Sequence, residues 1–298
     1  MHRAFAGWLI GKPWRAFLLT AIFGVLSPQG LSPLSVVAGA IPVLLLLSRD
    51  ARFGLQAALG GSVAVSAVLL ASRQSVLESL ASVALLFLAP IGLAMLLQRT
   101  GSLRWCFQIA VLAAGLLLVG IYVGVDAPVA LWRQLLLAAV QEVTQSGLIA
   151  DDQTVLQSLA HTNWGTYVAL WLVTVFGALS LGSWWQSLIK SPGAFGREFQ
   201  QLRLGAVLGL LSVLSVCAAF AFDKLNVDAP LVDALVWVAT VALACQGLSA
   251  VHRLKASGRV GRGWLTATYV LLILPLTMLF VVMLLAGWGV ADNWRRRA

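Results

Sequence analysis

Three glutamines are the strongest hydrogen-bonding side chains inside otherwise apolar stretches of this sequence. They are Gln56, Gln108 and Gln246, and each lies within a run of aliphatic and aromatic residues. A primary amide in hydrocarbon must find a hydrogen-bond partner, and such groups commonly join neighbouring helices in membranes. We therefore expect these glutamines to bridge helices, with ligand binding as the alternative role.

One part of the chain carries possible metal ligands. Asp151 and Asp152 precede His161 and Asn163, but no spacing typical of a metal site fixes these four groups near one another. The cysteines of the chain all lie in apolar runs and lack a CxxC spacing, which excludes a zinc framework. We expect a solvated loop leading into a helix at 151–163, and no metal site.

The sequence lacks the patterns of the common catalytic centres. It contains no HExxH zinc motif and no GxSxG nucleophile elbow. Its acidic, basic and histidine residues lie in loops or at the ends of apolar runs, whereas proton-coupled transport usually places such groups inside the spans. We therefore predict that the protein is not an enzyme, has no catalytic residues and uses no cofactor.

The segment 184–204 carries the most specific pattern of the chain, WWQSLIKSPGAFGREFQQLRL. Its paired tryptophans suit the interface between membrane and water, and Ser-Pro-Gly predicts a turn. Phe195 and Phe199 then share one helical face, while Arg197 and Glu198 lie off it. We interpret this segment as a short helix on the cytoplasmic membrane surface, acting either as an interfacial anchor or as a docking surface for a cytoplasmic partner.

The composition shows that lipid must surround the elements that position these groups. Of the 298 residues, 60% are hydrophobic and only 10% are charged, against roughly 45–50% and 25% in soluble domains. The mean hydropathy of +0.92 agrees with this. A water-soluble fold cannot hide so much apolar surface behind so few charges, so the lipid bilayer is the first predicted partner.

The apolar runs predict an all-α, polytopic integral membrane helix bundle of about 8–9 transmembrane spans, which forms a single domain over 1–298. Most runs exceed the roughly 17 residues that a helix needs to cross hydrocarbon. The first two are shorter and are separated by 27–33, a stretch with two prolines and a glycine. The runs are 16–27, 34–47, 53–71, 79–97, 105–124, 164–186, 204–222, 230–250 and 264–288.

The distribution of charge predicts the orientation of the bundle. With the N-terminus in the cytoplasm, the inner segments 1–15, 48–52, 98–104, 187–203 and 251–263 carry 3, 2, 2, 3 and 4 basic residues. The outer segments 72–78, 125–163 and 223–233 carry one each. Basic residues prefer cytoplasmic loops, so the net charge of +9 favours membrane orientation over nucleic-acid binding.

The same alternation has two further consequences. It places the acidic residues other than Asp50 and Glu198 outside. It also puts the basic C-terminal tail outside, which indicates either that the last run does not cross fully or that the number of spans is even. The connection 125–163 lies outside as well, and 128–148 predicts an amphipathic helix along the membrane surface.

The 184–204 pattern closely resembles the WWQxLxxxPGxFxxEFxxLRL motif of the YybS-like family, bacterial membrane proteins of unknown function (domain of unknown function 2232). The tail at 289–294 resembles the family's GlaDtW, although the usual acidic-aromatic-Arg ending is replaced by three arginines. The resemblance therefore marks ten candidate functional residues: Trp185, Gln186, Pro192, Gly193, Phe195, Glu198, Phe199, Arg203, Asp292 and Trp294.

The resemblance implies a bacterial inner-membrane location and two functions. The family is distantly similar to the substrate-binding membrane subunits of energy-coupling-factor transporters, which implies a binding subunit for a small, largely uncharged solute that relies on a separate energising module. It is also similar to the cell-shape protein MreD, which implies a non-enzymatic scaffold or assembly factor. The scaffold would recruit another membrane or cytoplasmic protein through its cytoplasmic face.

Overall fold

The structure, a computed structural model, describes residues 2–27, 33–72, 76–145 and 163–295, and these are overwhelmingly α-helical with no β-strand among them. The prediction of an all-α helical membrane bundle is therefore confirmed. Asp151, Asp152 and His161 of the predicted loop, and the last two arginines of the tail, lie outside the described residues.

Most of the helices follow one another closely along the chain. In chain order they are α1 (His2–Gly11), α2 (Pro13–Val25), α3 (Pro33–Ser48), α4 (Ala51–Ala71), α5 (Val76–Val83), a π-helical stretch (Ala84–Leu88), α6 (Ala89–Thr100), α7 (Leu103–Gly124), α8 (Pro128–Gln145), α9 (Trp164–Lys190), α10 (Ala194–Phe199), α11 (Gly205–Lys224), α12 (Pro230–Ala256), α13 (Arg262–Ile273) and α14 (Pro275–Trp294).

Fewer helices are long enough to cross a membrane alone than the predicted eight or nine. Within the described residues, 6 helices combine sufficient length with sufficient hydropathy, namely α4, α7, α9, α11, α12 and α14. Four apolar helices are shorter: Pro13–Val25, Pro33–Ser48, Ala84–Thr100 and Gly263–Ile273. The chain is thus a multi-pass membrane bundle that mixes full-length helices with short ones.

The last predicted run, 264–288, is not one helix. It is divided at Leu274, whose extended backbone (φ −77°, ψ 119°) separates α13 from α14. Pro275 begins α14, where its missing N–H costs no helical hydrogen bond. The Thr277 hydroxyl donates to the carbonyl of Leu271 at 2.7 Å, which satisfies one of the unpaired carbonyls at the end of α13.

Helix α3 forms the centre of the bundle. Residues 38–46 are all buried, and α3 packs against α2, α4, α6 and α9. Close approach to α9 depends on Gly182, where a Cβ atom would lie 2.8 Å from the carbonyl oxygen of Ala40. The final carbonyls of α3 are satisfied by side chains from other helices, Gln98 on Leu46 at 2.8 Å and Lys190 on Leu47 at 3.1 Å.

Helices α12 and α14 run in the same direction. Gln246 of α12 donates to the carbonyl of Gly289, and Arg253, two turns later on α12, pairs with Asp292, one turn later on α14. The two helices also approach closely at small residues, since a Cβ atom on Gly247 or Gly289 would overlap the carbonyl of Leu285 or Leu243. The two helices therefore finish at the same end of the bundle.

The two ends of the bundle differ in charge. We call the end where α9, α12 and α14 finish the basic end, since it carries Lys190, Arg203, Arg253, Lys255 and Arg295. The opposite end carries acids, with Asp233 near Asp228 and Asp223. This segregation follows the pattern of the sequence, with one exception discussed below.

Candidate functional site

A buried polar cluster at the basic end brings together residues from distant parts of the sequence. Its members are Arg203, Gln246, Arg253 and Asp292, which we call the arginine–aspartate cluster. Arg203 lies just before α11, Gln246 and Arg253 lie on α12, and Asp292 lies on α14. Gln246 is completely buried and Asp292 nearly so. Because buried polar groups are costly unless paired, their bonding determines how this end is held together.

The charge of Asp292 is balanced by Arg253. The two side chains form an ion pair through Nη2 and Oδ1, with the carboxylate 7% and the guanidinium 30% exposed. The other terminal nitrogen of Arg253, Nη1, donates to the carbonyl of Gln200 at 2.6 Å. One guanidinium therefore joins α12, α14 and the connection between α10 and α11.

Arg203 holds the end of α14. Its Nη2 donates to the carbonyls of Asp292 at 3.0 Å and Arg295 at 2.7 Å. The last carbonyls of a helix lack intrahelical donors, and a cation there also offsets the negative end of the helix dipole. The first arginine of the tail is thus fixed next to the segment 187–203.

Two of the three predicted intramembrane glutamines join this region. Gln246 accepts from the backbone N–H of Leu204 at 2.9 Å and donates to the carbonyl of Gly289 at 3.2 Å. Gln108 of α7 donates to the carbonyl of Arg203 at 2.8 Å. Gln56 lies apart from them, exposed on α4.

A turn at Gly205 completes the junction between α10, α11 and α14. Its φ of +80° lies in the left-handed region, which glycine adopts without steric cost. Its carbonyl accepts from Nδ2 of Asn293 at 2.9 Å. The next close approach is at Gly209, where a Cβ atom would overlap the amide of Asn293.

The other candidate residues of the 184–204 pattern have different surroundings. Trp185 is buried, with its ring 5.5 Å from that of Phe5 on α1. Phe195 and Phe199 lie ring against ring at 5.6 Å. Pro192 and Gly193 form an exposed turn, in which Gly193 has a φ of +83°. This segment thus combines a buried anchor with an exposed turn.

Glu198 points inward, where Oε2 accepts from the backbone N–H of Leu103 at 3.4 Å. It lines a pocket of about 270 Å³, together with Gln98, Gln186, Ser183 and other residues of α6, α9 and α10. The hydroxyl of Ser183 is directed to its own helix, since it donates to the carbonyl of Ser180. Three candidate residues, Gln186, Phe195 and Glu198, therefore share one small, partly polar pocket.

The structure corrects the sequence analysis at the tail. Asp292 was expected on the outer side, yet it lies at the basic end against Arg253 and Arg203. The break at Leu274 is the reason, because it turns one expected span into two helices and reverses the direction of the second. Trp294, the last candidate, is 49% exposed beside this cluster.

Arg253 is the member of the cluster that the sequence analysis missed as a site residue. In the sequence, Arg253 was counted only as one of the four basic residues of the inner segment 251–263. Its helical spacing from Gln246, seven positions earlier on α12, places both on one helix face. No group of three metal-ligating side chains occurs in the described ranges.

No known family model, curated protein or solved structure matches this chain.

Proposed function

We propose that this chain is a YybS-like, non-enzymatic scaffold of the bacterial inner membrane, which recruits protein partners through its cytoplasmic face. The observation that carries the proposal is the arginine–aspartate cluster, which fastens the 187–203 segment to the ends of α12 and α14. A buried ion-pair network often adds little net stability to a helix bundle. Because this network lies directly beneath an exposed surface segment, its position favours a role in holding that surface in shape.

The surface in question is small and rigidly supported. Pro192 and Gln201 are exposed. Leu202 and Leu204, which follow Gln201 and precede α11, are buried. Arg253 holds the carbonyl of Gln200, next to Gln201. A partner would therefore meet a preformed surface, which lowers the entropic cost of binding.

The orientation follows from charge. Basic residues prefer the cytoplasmic side of a membrane, so we place the basic end in the cytoplasm. The six long and four short apolar helices of the described residues would make ten passes of alternating direction, an even number that supports a common side for residues 2 and 295. The even alternation also removes the conflict that the basic tail raised in the sequence.

Site-specific photocrosslinking tests the scaffold proposal. A photoreactive amino acid at Gln201 should capture one discrete protein in intact cells, identified by mass spectrometry. The matched control is Gln141, a glutamine that is also exposed, on α8 near the opposite end. The adduct at Gln201 should weaken in an Arg253→Met variant, because the carbonyl of Gln200 then loses its donor.

Two outcomes would contradict the scaffold. One is a pattern of adducts at Gln201 identical to that at Gln141. The other is capture of lipid alone at Gln201 and at Pro192.

The solute-binding alternative is favoured by one observation, the 270 Å³ pocket that Gln186 and Glu198 line. The pocket lies at the basic end and is partly open, so we expect it to take a small polar molecule from the cytoplasm. Thermal stabilisation of the purified chain by a panel of metabolites would test it. Stabilisation that survives Gln186→Leu would exclude this pocket as the site.

A further inference from the structure

A second, larger cavity lies on the side of the bundle and is lined by none of the four residues of the arginine–aspartate cluster. It is a groove of about 850 Å³ between α9, α10, α12 and α13. Its lining is mostly apolar and includes Val173, Phe176 and Leu188 of α9 and Leu248 of α12. Because α9, α12 and α13 are apolar helices of the membrane bundle and the lining is mostly apolar, the groove suits contact with lipid rather than with water.

The groove is long enough for a hydrocarbon chain. Its lining on α9 extends from Val173 to Leu188, which spans about 22 Å at the α-helical rise of about 1.5 Å per residue. One leaflet of a bilayer contributes about 15 Å of hydrocarbon. A lipid tail can therefore lie along α9 from the basic end inward.

Polar groups occur at the basic end of the groove. His252 and Tyr269 both line it and hydrogen-bond to each other at 2.8 Å between Nε2 and the hydroxyl. The ring of Phe199 lies 5.1 Å from that of His252. The groove is thus apolar along most of its length and polar where it reaches the membrane surface. A lipid has the same arrangement, with an apolar acyl chain and a polar headgroup.

Two cations flank this polar end. Arg197 lies next to Gly193, which lines the groove, since a Cβ atom added at Gly193 would lie 3.4 Å from Nη1 of Arg197. Lys255 is exposed one turn after His252, on the same side of α12. Neither cation forms an ion pair with any residue that the structure describes, and no acidic residue lines the groove.

We propose that this groove binds an anionic phospholipid of the cytoplasmic leaflet. One acyl chain lies along α9, and the headgroup phosphate lies between Arg197 and Lys255, within reach of His252 and Tyr269. Charge complementarity selects this occupant over a neutral lipid or a partner helix, since two unpaired cations stand at the mouth. The inference depends on the proposed orientation of the bundle, and it is independent of the scaffold role.

Native mass spectrometry of the full chain in detergent tests the proposal. The probes are phosphatidylglycerol and phosphatidylethanolamine with identical acyl chains, added at equal concentration. Each basic residue near an anionic surface contributes a factor of about 5 in binding. We therefore expect a preference for phosphatidylglycerol that falls about 5-fold in Arg197→Ala and about 5-fold in Lys255→Ala, with Arg99→Ala as the exposed control that leaves it unchanged.

A second pair of variants tests the groove itself. Gly196 lines the groove and has open space around its Cβ position, as does the exposed Gly92 on α6. Gly196→Leu should fill the mouth and lower retention of both lipids, while Gly92→Leu should not. If Gly196→Leu fails to fold, the two charge variants still decide the question.

Three results would overturn the proposal. The first is equal retention of the two lipids. The second is a preference for phosphatidylglycerol that survives both charge variants together. The third is a co-purifying membrane polypeptide whose crosslinks map to the groove. A normal adduct at Gln201 alongside any of these would leave the scaffold proposal standing.

Discussion

Removing the guanidinium of Arg253 should destabilise the bundle more than any other single change of charge at the basic end. Arg253→Met keeps the length and apolar stem of the side chain but removes the ion pair with Asp292, which is only 7% exposed. Breaking a buried ion pair from one side costs about 3–5 kcal/mol. The carbonyl of Gln200 also loses its donor.

The reverse change should cost less. Asp292→Asn removes the charge but keeps a side-chain oxygen for Gln246, and it leaves the hydrogen bond from Arg203 to the main chain intact. Arg253, 30% exposed, remains partly hydrated. We expect a loss of about 2 kcal/mol, the usual value for a hydrogen bond to a charged group.

A double-mutant cycle isolates the pair. The variant Arg253→Met/Asp292→Asn should cost less than the sum of the single changes, with a coupling of about 2 kcal/mol. The assay is thermal unfolding in detergent, followed by the fluorescence of the 12 tryptophans. For a chain of this size each kcal/mol shifts Tm by about 2 °C, so Arg253→Met should lower Tm by about 6–10 °C.

The matched controls are Lys224→Met and Asp228→Asn, exposed charges at the opposite end. Each should change stability by less than about 0.5 kcal/mol. The reasoning is refuted if Arg253→Met costs no more than Lys224→Met. It is equally refuted if the effects of the two cluster changes are additive.

Three further predictions follow from the packing of α12 and α14. Gly247→Ala should cost at least about 1–3 kcal/mol, because its Cβ atom meets the backbone of α14. Gly287→Ala, on the open face of α14, should instead stabilise the protein by about 0.5–1 kcal/mol. Thermal unfolding measures both variants, and a neutral Gly247→Ala would contradict the close approach of the helices. Gln246→Leu should cost about 2 kcal/mol in the same assay because it orphans a buried backbone N–H, and Gln56→Leu should be nearly neutral; similar losses would disprove the bridging role. A cysteine-free variant of the protein allows single cysteines to be labelled in intact cells. Trp294→Cys in this variant should resist a membrane-impermeant thiol reagent that labels a single cysteine in α8. Labelling of both positions would refute the parallel packing of α12 and α14.

The fold class and several helices could be predicted from hydropathy alone. The runs 53–71, 105–124 and 204–222 correspond to α4, α7 and α11 within a few residues. Each is a long run bounded by charges or turn residues, so composition and length define it. The division of the run 264–288 could not be predicted, because the residues on both sides of Pro275 are apolar. Hydropathy therefore continues through the break and does not show that Pro275 begins a new helix.

The cluster could be predicted only in part. Composition identified Gln108 and Gln246 as groups that need partners, and the resemblance marked Arg203 and Asp292. Their meeting with Arg253 depends on α12 and α14 running in parallel, and no periodicity within either helix reveals the direction of its neighbour. Once one crossing was overlooked, Asp292 was assigned to the wrong side.

The burial of α3 has a consequence for how the protein is made. This helix has 16 residues, and Pro42 in its interior leaves one carbonyl without the usual donor, so it is a poor candidate for independent insertion by the translocon. Its extensive contact with α9 becomes possible only after more of the chain has been synthesised. We therefore expect α2 and α4, its neighbours in sequence, to shelter it first, and α9 to lock it in place late in biogenesis.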